Sequence, residues 1–255
     1  MKKRHLALLA FALPFAAQAD ESGFRSIGIG LSASQGVYAG EDRSVSLLPL
    51  VHYESERFFV RGLTGGVHLY ESDVFGLDAI VAGRFDGIDA DDFGREELLE
   101  NGIDRDLLED RDNGLDLGLR GTWRGEAGEL QATARGDVSG ASDGYELSLE
   151  YGYPFSVAGA EVTPSLTMSY LSDKLADYYY GTLSKEEARG VARYRPGSAF
   201  VPSVALGVSK PLGERWLLNA EASYQRLPSD ISDSTLTEGD SGVFGIKVGL
   251  SWSFD

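Results

Sequence analysis

The chain of 255 residues has no cysteine, so neither a disulfide framework nor a thiolate metal centre can form. Basic residues are few: 23 Lys and Arg stand against 40 Asp and Glu, for a net charge of −17. That sign argues against nucleic acid as a partner, since phosphates need Lys and Arg. Past residue 20 no 18 consecutive residues are all apolar, so no spanning helix is expected there. Histidine is rare, at positions 5, 52 and 68. HExxH and Walker loops are absent. The glycine-rich "GIGLSASQG" alternates like a strand rather than a phosphate loop. No enzyme, cofactor or metal-ligand set is expected. A catalytic His52 or His68 beside a carboxylate is weighed against an ordinary histidine in a barrel girdle or lumen.

The first nineteen residues read as a leader. "MKKRH" is basic, "LALLAFALPFAA" is a short apolar run, and Ala17-Gln18-Ala19 is a small-x-small cleavage site. The expected division is a signal peptide at 1–19 and one β-barrel over 20–255.

Glycine is plentiful, at 32 residues, and alternation is pervasive. At the C-terminus Ile246, Val248, Leu250, Trp252 and Phe254 alternate with Lys247, Gly249, Ser251 and Ser253. A strand sends these sets to opposite faces. The same pattern recurs at 27–33, 115–123, 145–155, 162–170 and 216–224. Weaker runs lie at 44–54, 57–70, 74–86, 129–138 and 198–210, making eleven candidates with 242–254. Most are 9–13 residues long. Soluble strands average about five or six residues, whereas a tilted transmembrane strand needs about 9–11. One face is apolar; the other is Gly, Ser, Thr and charge, which suits a polar lumen. Aromatics such as Trp123, Tyr153, Trp216 and Trp252 sit at run ends, where an interfacial girdle lies. The expected fold is all-β: a single antiparallel transmembrane β-barrel with long acidic extracellular loops, in the outer membrane. A soluble periplasmic barrel or sandwich is the competing reading.

Counting back from a periplasmic C-terminus puts loops 228–241, 172–197, 138–143 and 87–112 outside. The turns near 211–214, 156–160, 125–128 and 70–73 fall inside. Eleven runs leave the N-terminus on the wrong side. The miscount is expected within 44–70, around Pro49 and "GLTGG". Twelve strands are favoured, ten being the alternative.

Parity points Asp116, Arg120, Arg135, Asp137, Glu146, Glu150, Glu221 and Lys247 into the lumen together. There they either line a pore or cross-pair and fill it. Segment 86–112 holds twelve acids and three arginines. It reads either as a surface for divalent cations or lipopolysaccharide, or as a solvated loop. Leu98, Leu99, Leu107 and Leu108 of a short helix there would cover the barrel mouth. Within 175–197, Asp177, Tyr178, Tyr179, Tyr180 and Gly181 break the alternation. They are either a contact loop or packing at the mouth. "KEEARGVAR" looks helical.

The stretches "GVYAGED" (36–42), "LLPLVHYESERFFVRGL" (47–63), "GDVSGASDG" (136–144), "VTPSL" (162–166), "DYYYG" (177–181), "EEARGVARYRPG" (186–197), Trp216 and "YQRLPSDISDS" (224–234) resemble the MipA/OmpV family of outer-membrane proteins. The resemblance covers essentially the whole chain after the leader. Two departures stand out. Thr235 replaces the usual proline, and Asp255 follows the terminal aromatic Phe254. The resemblance implies a non-enzymatic barrel that scaffolds murein-remodelling enzymes, a lytic transglycosylase and a murein synthase. Outer-membrane lipid and lipopolysaccharide would be its other partners. The alternative function is a small channel for ions or solutes.

Overall fold

The computed structural model describes residues 25–41, 43–237 and 239–254. The leader expected at 1–19 and the terminal Asp255 lie outside them. The described residues form a closed antiparallel barrel. Its strands are β1 (Arg25–Ser34), β2 (Ser44–Glu54), β3 (Phe58–Arg61), β4 (Thr64–Glu71), β5 (Phe75–Arg84), β6 (Gly114–Gly125), β7 (Gly128–Asp137), β8 (Tyr145–Gly152), β9 (Phe155–Val157), β10 (Ala160–Leu171), β11 (Ala199–Leu212), β12 (Trp216–Arg226) and β13 (Gly242–Phe254). Pairing runs from neighbour to neighbour, and β1 on β13 completes the ring. Pro154 interrupts the eighth stave. β8 and β9 keep one register on β10, so the thirteen segments make twelve staves.

The twelfth stave comes from "GLTGG". The run at 57–70 is two strands, β3 and β4, joined by the two-residue turn Gly62-Leu63 between the paired Arg61 and Thr64. Gly62 has φ +62°, the left-handed conformation that such a hairpin turn requires and that glycine adopts freely. Period two continues through the turn, so alternation alone cannot reveal it.

The hairpin is short, and β2 meets β3 only over 52–54. Gly62 N–H donates to Val51 O (2.8 Å), so the odd-numbered backbone groups of β2 face the hairpin side. Pro49 lies just beyond it, where a missing N–H leaves nothing unpaired. Among the described residues no ladder joins β2 to β5 above the hairpin. Leu48, Leu50 and Phe85 pack together there.

The barrel is inside-out relative to a soluble protein. Ile27, Ile29 and Leu31 are 55–56% exposed on the outer face, as are the leucines of β6 and β8 to similar extents. Ser26, Ser46, Asp78, Arg84, Asp116, Arg120, Asn219, Glu221 and Lys247 are buried inside. An apolar belt around the whole wall is far too large for a water-facing surface and matches hydrocarbon. Trp216 and Trp252 stack edge-to-face (4.8 Å) at the short-turn end, where Phe75 is in register with Trp123.

At the other end the loops are folded. They carry α1 (Arg95–Glu100), α2 (Asp173–Tyr180), α3 (Ser184–Ala188) and α4 (Ser229–Ser232). Ser172 caps α2 by accepting from Leu175 N–H. The tyrosine run that breaks the alternation is therefore helical. Of the "KEEARGVAR" segment only Lys185–Ala188 are helical, in α3; Arg189–Arg193 are not.

Candidate functional site

The extracellular mouth holds the main apolar core of the described residues. Tyr38, Phe93, Leu98, Ile103, Leu108, Leu175, Tyr179, Tyr180, Ile231 and Leu236 pack there with exposures of 9% or less. Tyr38 lies edge-on to Phe93 (5.2 Å) and stacked on Tyr180 (6.0 Å). Of the four leucines expected over the mouth, Leu98 and Leu108 are buried, Leu107 is partly buried, and Leu99 points outward, 58% exposed.

Asp177–Gly181 belong to this cap. Tyr179 and Tyr180 are buried. The Tyr178 hydroxyl accepts from Asp112 N–H (2.8 Å), and Asp177 accepts from Gly197 N–H. Gly181 O accepts from Arg111 (3.0 Å). The structure thus places these tyrosines in the packing of the mouth rather than on an exposed contact loop. Burial raises the Tyr180 and Tyr38 phenols well above their ordinary range.

One ion pair ties the cap together. Both oxygens of Glu186 on α3 accept from Arg111 (2.6 and 3.0 Å), and both side chains are fully buried. Glu186 also accepts from the backbone of Glu109 and Leu183. Arg111 further donates to the carbonyls of Glu109 and Gly181. One buried pair therefore joins loop 85–113 to loop 172–198. On the surface Arg189, with Lys185, hydrogen-bonds Glu109 and holds its carboxyl below the usual range. Arg95 does the same for Asp106.

Below the cap, charges pair along the inner wall, between neighbouring and nearby strands. Arg84 donates to Asp116 (2.7 Å), Glu146 (3.0 Å) and Asp86 (3.0 Å). Arg135 reaches Glu146 (2.7 Å) and Asp116 (3.5 Å), and Ser169 donates to Glu146. Lys247 faces Glu221 (3.4 Å) across β12–β13. Arg120 sits opposite Asp78 in register. Glu150 lies on β8, in register with Gln131 and Thr167. Asp137 caps the β7–β8 loop by accepting from Ser139, Ser142 and Asp143 N–H groups. Arg84, the hub of the upper cluster, is not among the inward charges expected from the sequence. Its parity with Asp78 on one strand was the available signal.

A second group lies at the short-turn end. His68 is flanked by Asp78 at Nδ1 (2.7 Å) and Glu54 at Nε2 (2.8 Å). Arg61 holds Glu54 through two hydrogen bonds, and His52 Nε2 is 3.8 Å from Glu54. Both histidines of the barrel therefore converge on one carboxylate.

The model for the family described as "MltA-interacting protein MipA" matches residues 27–254. An Escherichia coli K12 outer-membrane protein, YiaT, is 32% identical over 248 residues, covering 96% of each chain. The MltA-interacting protein of the same strain is 28% identical over 256 residues, covering 99% of each. Outer membrane protein OmpV of Vibrio cholerae is 26% identical over 201 residues, 79% of this chain and 70% of that one. With its apolar belt and closed wall, the protein is an outer-membrane barrel, and it belongs to the MltA-interacting protein (MipA) family.

Proposed function

We propose that this barrel is a non-enzymatic scaffold for murein-remodelling enzymes, a lytic transglycosylase and a murein synthase, presented from its periplasmic side. The observation that carries the reading is the mouth. It is filled by a packed apolar core, so the barrel offers its partners the rim of short turns at 55–57, 72–74, 126–127, 158–159 and 213–215. The name of the MltA-interacting relative supports a transglycosylase as partner.

The test is a crosslinked pull-down of tagged protein from native outer membranes, followed by binding of the purified partner to the detergent-folded barrel. Recovery of a lytic transglycosylase and a murein synthase is expected. So is roughly micromolar binding, weakened by scrambling the periplasmic turns. Recovery of lipopolysaccharide and assembly factors alone would overturn the scaffold. The channel reading rests on the polar lumen. The packed cap and the cross-paired charges count against it, and discrete conductance in planar bilayers would be its sign.

A further inference from the structure

We infer that the cluster at the periplasmic foot of β4 and β5 is a divalent transition-metal site, with His68 Nδ1, Asp78 and Glu71 as ligands. The atoms His68 Nδ1, Asp78 Oδ1 and Glu71 Oε2 lie within 4.8 Å of one another. Asp78 is 2.7 Å from the ring nitrogen and Glu71 is 4.0 Å from it. Metal–nitrogen and metal–oxygen bonds of about 2.0–2.2 Å require ligand atoms about 3.0–3.5 Å apart. One separation must open slightly and the other close slightly. Both adjustments are within reach of a carboxylate rotamer, and Glu71 is half-exposed at the end of its strand.

The backbone makes this grouping deliberately. In an unbroken strand residues 68 and 71 point to opposite faces. Between His68 and Tyr70 the β4–β5 register shifts by a bulge. The extra residue turns Glu71 to the lumen side, beside His68. Bulges commonly re-aim a side chain in this way at functional sites.

The support around the ligands is also in place. A metal-binding histidine usually donates its other ring N–H to a carboxylate, which fixes the ring. His68 Nε2 faces Glu54 at 2.8 Å, and Arg61 anchors Glu54 in turn. Phe59, 1% exposed, packs on the imidazole (5.0 Å). Arg124 on Glu71 (2.8 Å) balances that carboxylate and would share it with the ion. Glu71, beside the turn at 72–74, gives entry from the short-turn end. One imidazole with two carboxylates and no sulfur suits Zn²⁺ or Mn²⁺ rather than Cu(I) or an iron–sulfur cluster. Three protein ligands leave a coordination position for water or a ligand.

The test is calorimetric titration of the chelator-treated, detergent-folded full chain with Zn²⁺, in millimolar Mg²⁺ to occupy the acidic outer loop. Visible absorption of the Co²⁺ form reports on the ligands. One ion per chain is expected. Glu71→Gln and His68→Ala should abolish the tight phase and alter the Co²⁺ bands. Glu54→Gln should weaken binding by about 10- to 100-fold, as an orienting partner does. Heat-modifiable gel migration checks folding, and Glu71→Gln, half-exposed at a strand end, keeps the test informative if His68→Ala misfolds. No stoichiometric Zn²⁺ uptake would overturn the assignment. So would uptake abolished by Mg²⁺, or unchanged by both Glu71→Gln and His68→Ala.

Discussion

Glu186→Gln tests the idea that the cap is a locked lid rather than a set of loops. Arg111 and Glu186 are both fully buried, and the arginine spends two N–H groups on the carboxylate. Two unit charges about 4 Å apart attract by about 4 kcal/mol at an effective dielectric of 20. The amide removes that attraction and turns an NH₂ toward a guanidinium that has no other counter-ion within the pair. Breaking a buried pair from one side costs about 3–5 kcal/mol, because the remaining charge stays buried and uncompensated. The open population of the cap should therefore rise about 150- to 5,000-fold. The barrel wall, held by its own ladders, should be unaffected. The assay is limited proteolysis of the folded protein in detergent, since cleavage tracks the open population when reclosing is fast. New cuts are expected within 86–112 and 172–197, with heat-modifiable migration retained. The double change Arg111→Met with Glu186→Met should recover only part of the protection, since it leaves no orphan charge but strips the backbone groups of Glu109, Gly181 and Leu183 of their side-chain partners. Less than a threefold change in cleavage for Glu186→Gln would refute the lid. So would loss of the heat-modifiable band, which would mean that cap and barrel form a single cooperative unit.

Gly62→Val should destabilise the barrel by about 1–2 kcal/mol in denaturant titration. Its φ is +62° while the space around it is open, so the cost is conformational. Gly125→Ala, also in open space but outside the left-handed region, should be nearly neutral. Ile29→Arg, on the lipid face in the middle of β1, should cost about 2–4 kcal/mol and reduce insertion into vesicles. The cap should loosen in acid. Arg189 holds Glu109 below the usual carboxylate range and Arg95 holds Asp106, so the folded loops bind fewer protons than unfolded ones. That contribution is complete above the ordinary carboxylate pKa of about 4 and is lost as pH falls through the lowered folded values. Proteolysis or near-ultraviolet dichroism between about pH 5 and pH 2 would show it, and an unchanged cap at pH 2 would refute it.

The wall was legible in the sequence because a barrel strand is a local object. Its side chains alternate, so Ile27, Ile29 and Leu31 declare the lipid face while Asp116, Glu146 and Lys247 declare the lumen without reference to any partner. Length placed these strands in a bilayer, and alternating connections fixed which loops fall on the long side. The strand count was harder, because alternation runs on through Gly62-Leu63. Only the incompatible sidedness of the termini, with the glycines, exposed the hidden turn.

Tertiary structure decided the rest, since it depends on which distant residues meet. Arg111 and Glu186 are 75 positions apart, and nothing local marks them as a pair. The tyrosines at 178–180 look like contact residues until α2 turns two of them into the mouth. His68 and Glu71 lie on opposite faces of any ideal strand, and a single bulge brings them to one side. Periodicity reports which way a side chain points, but closing the barrel and folding its loops determine what it meets.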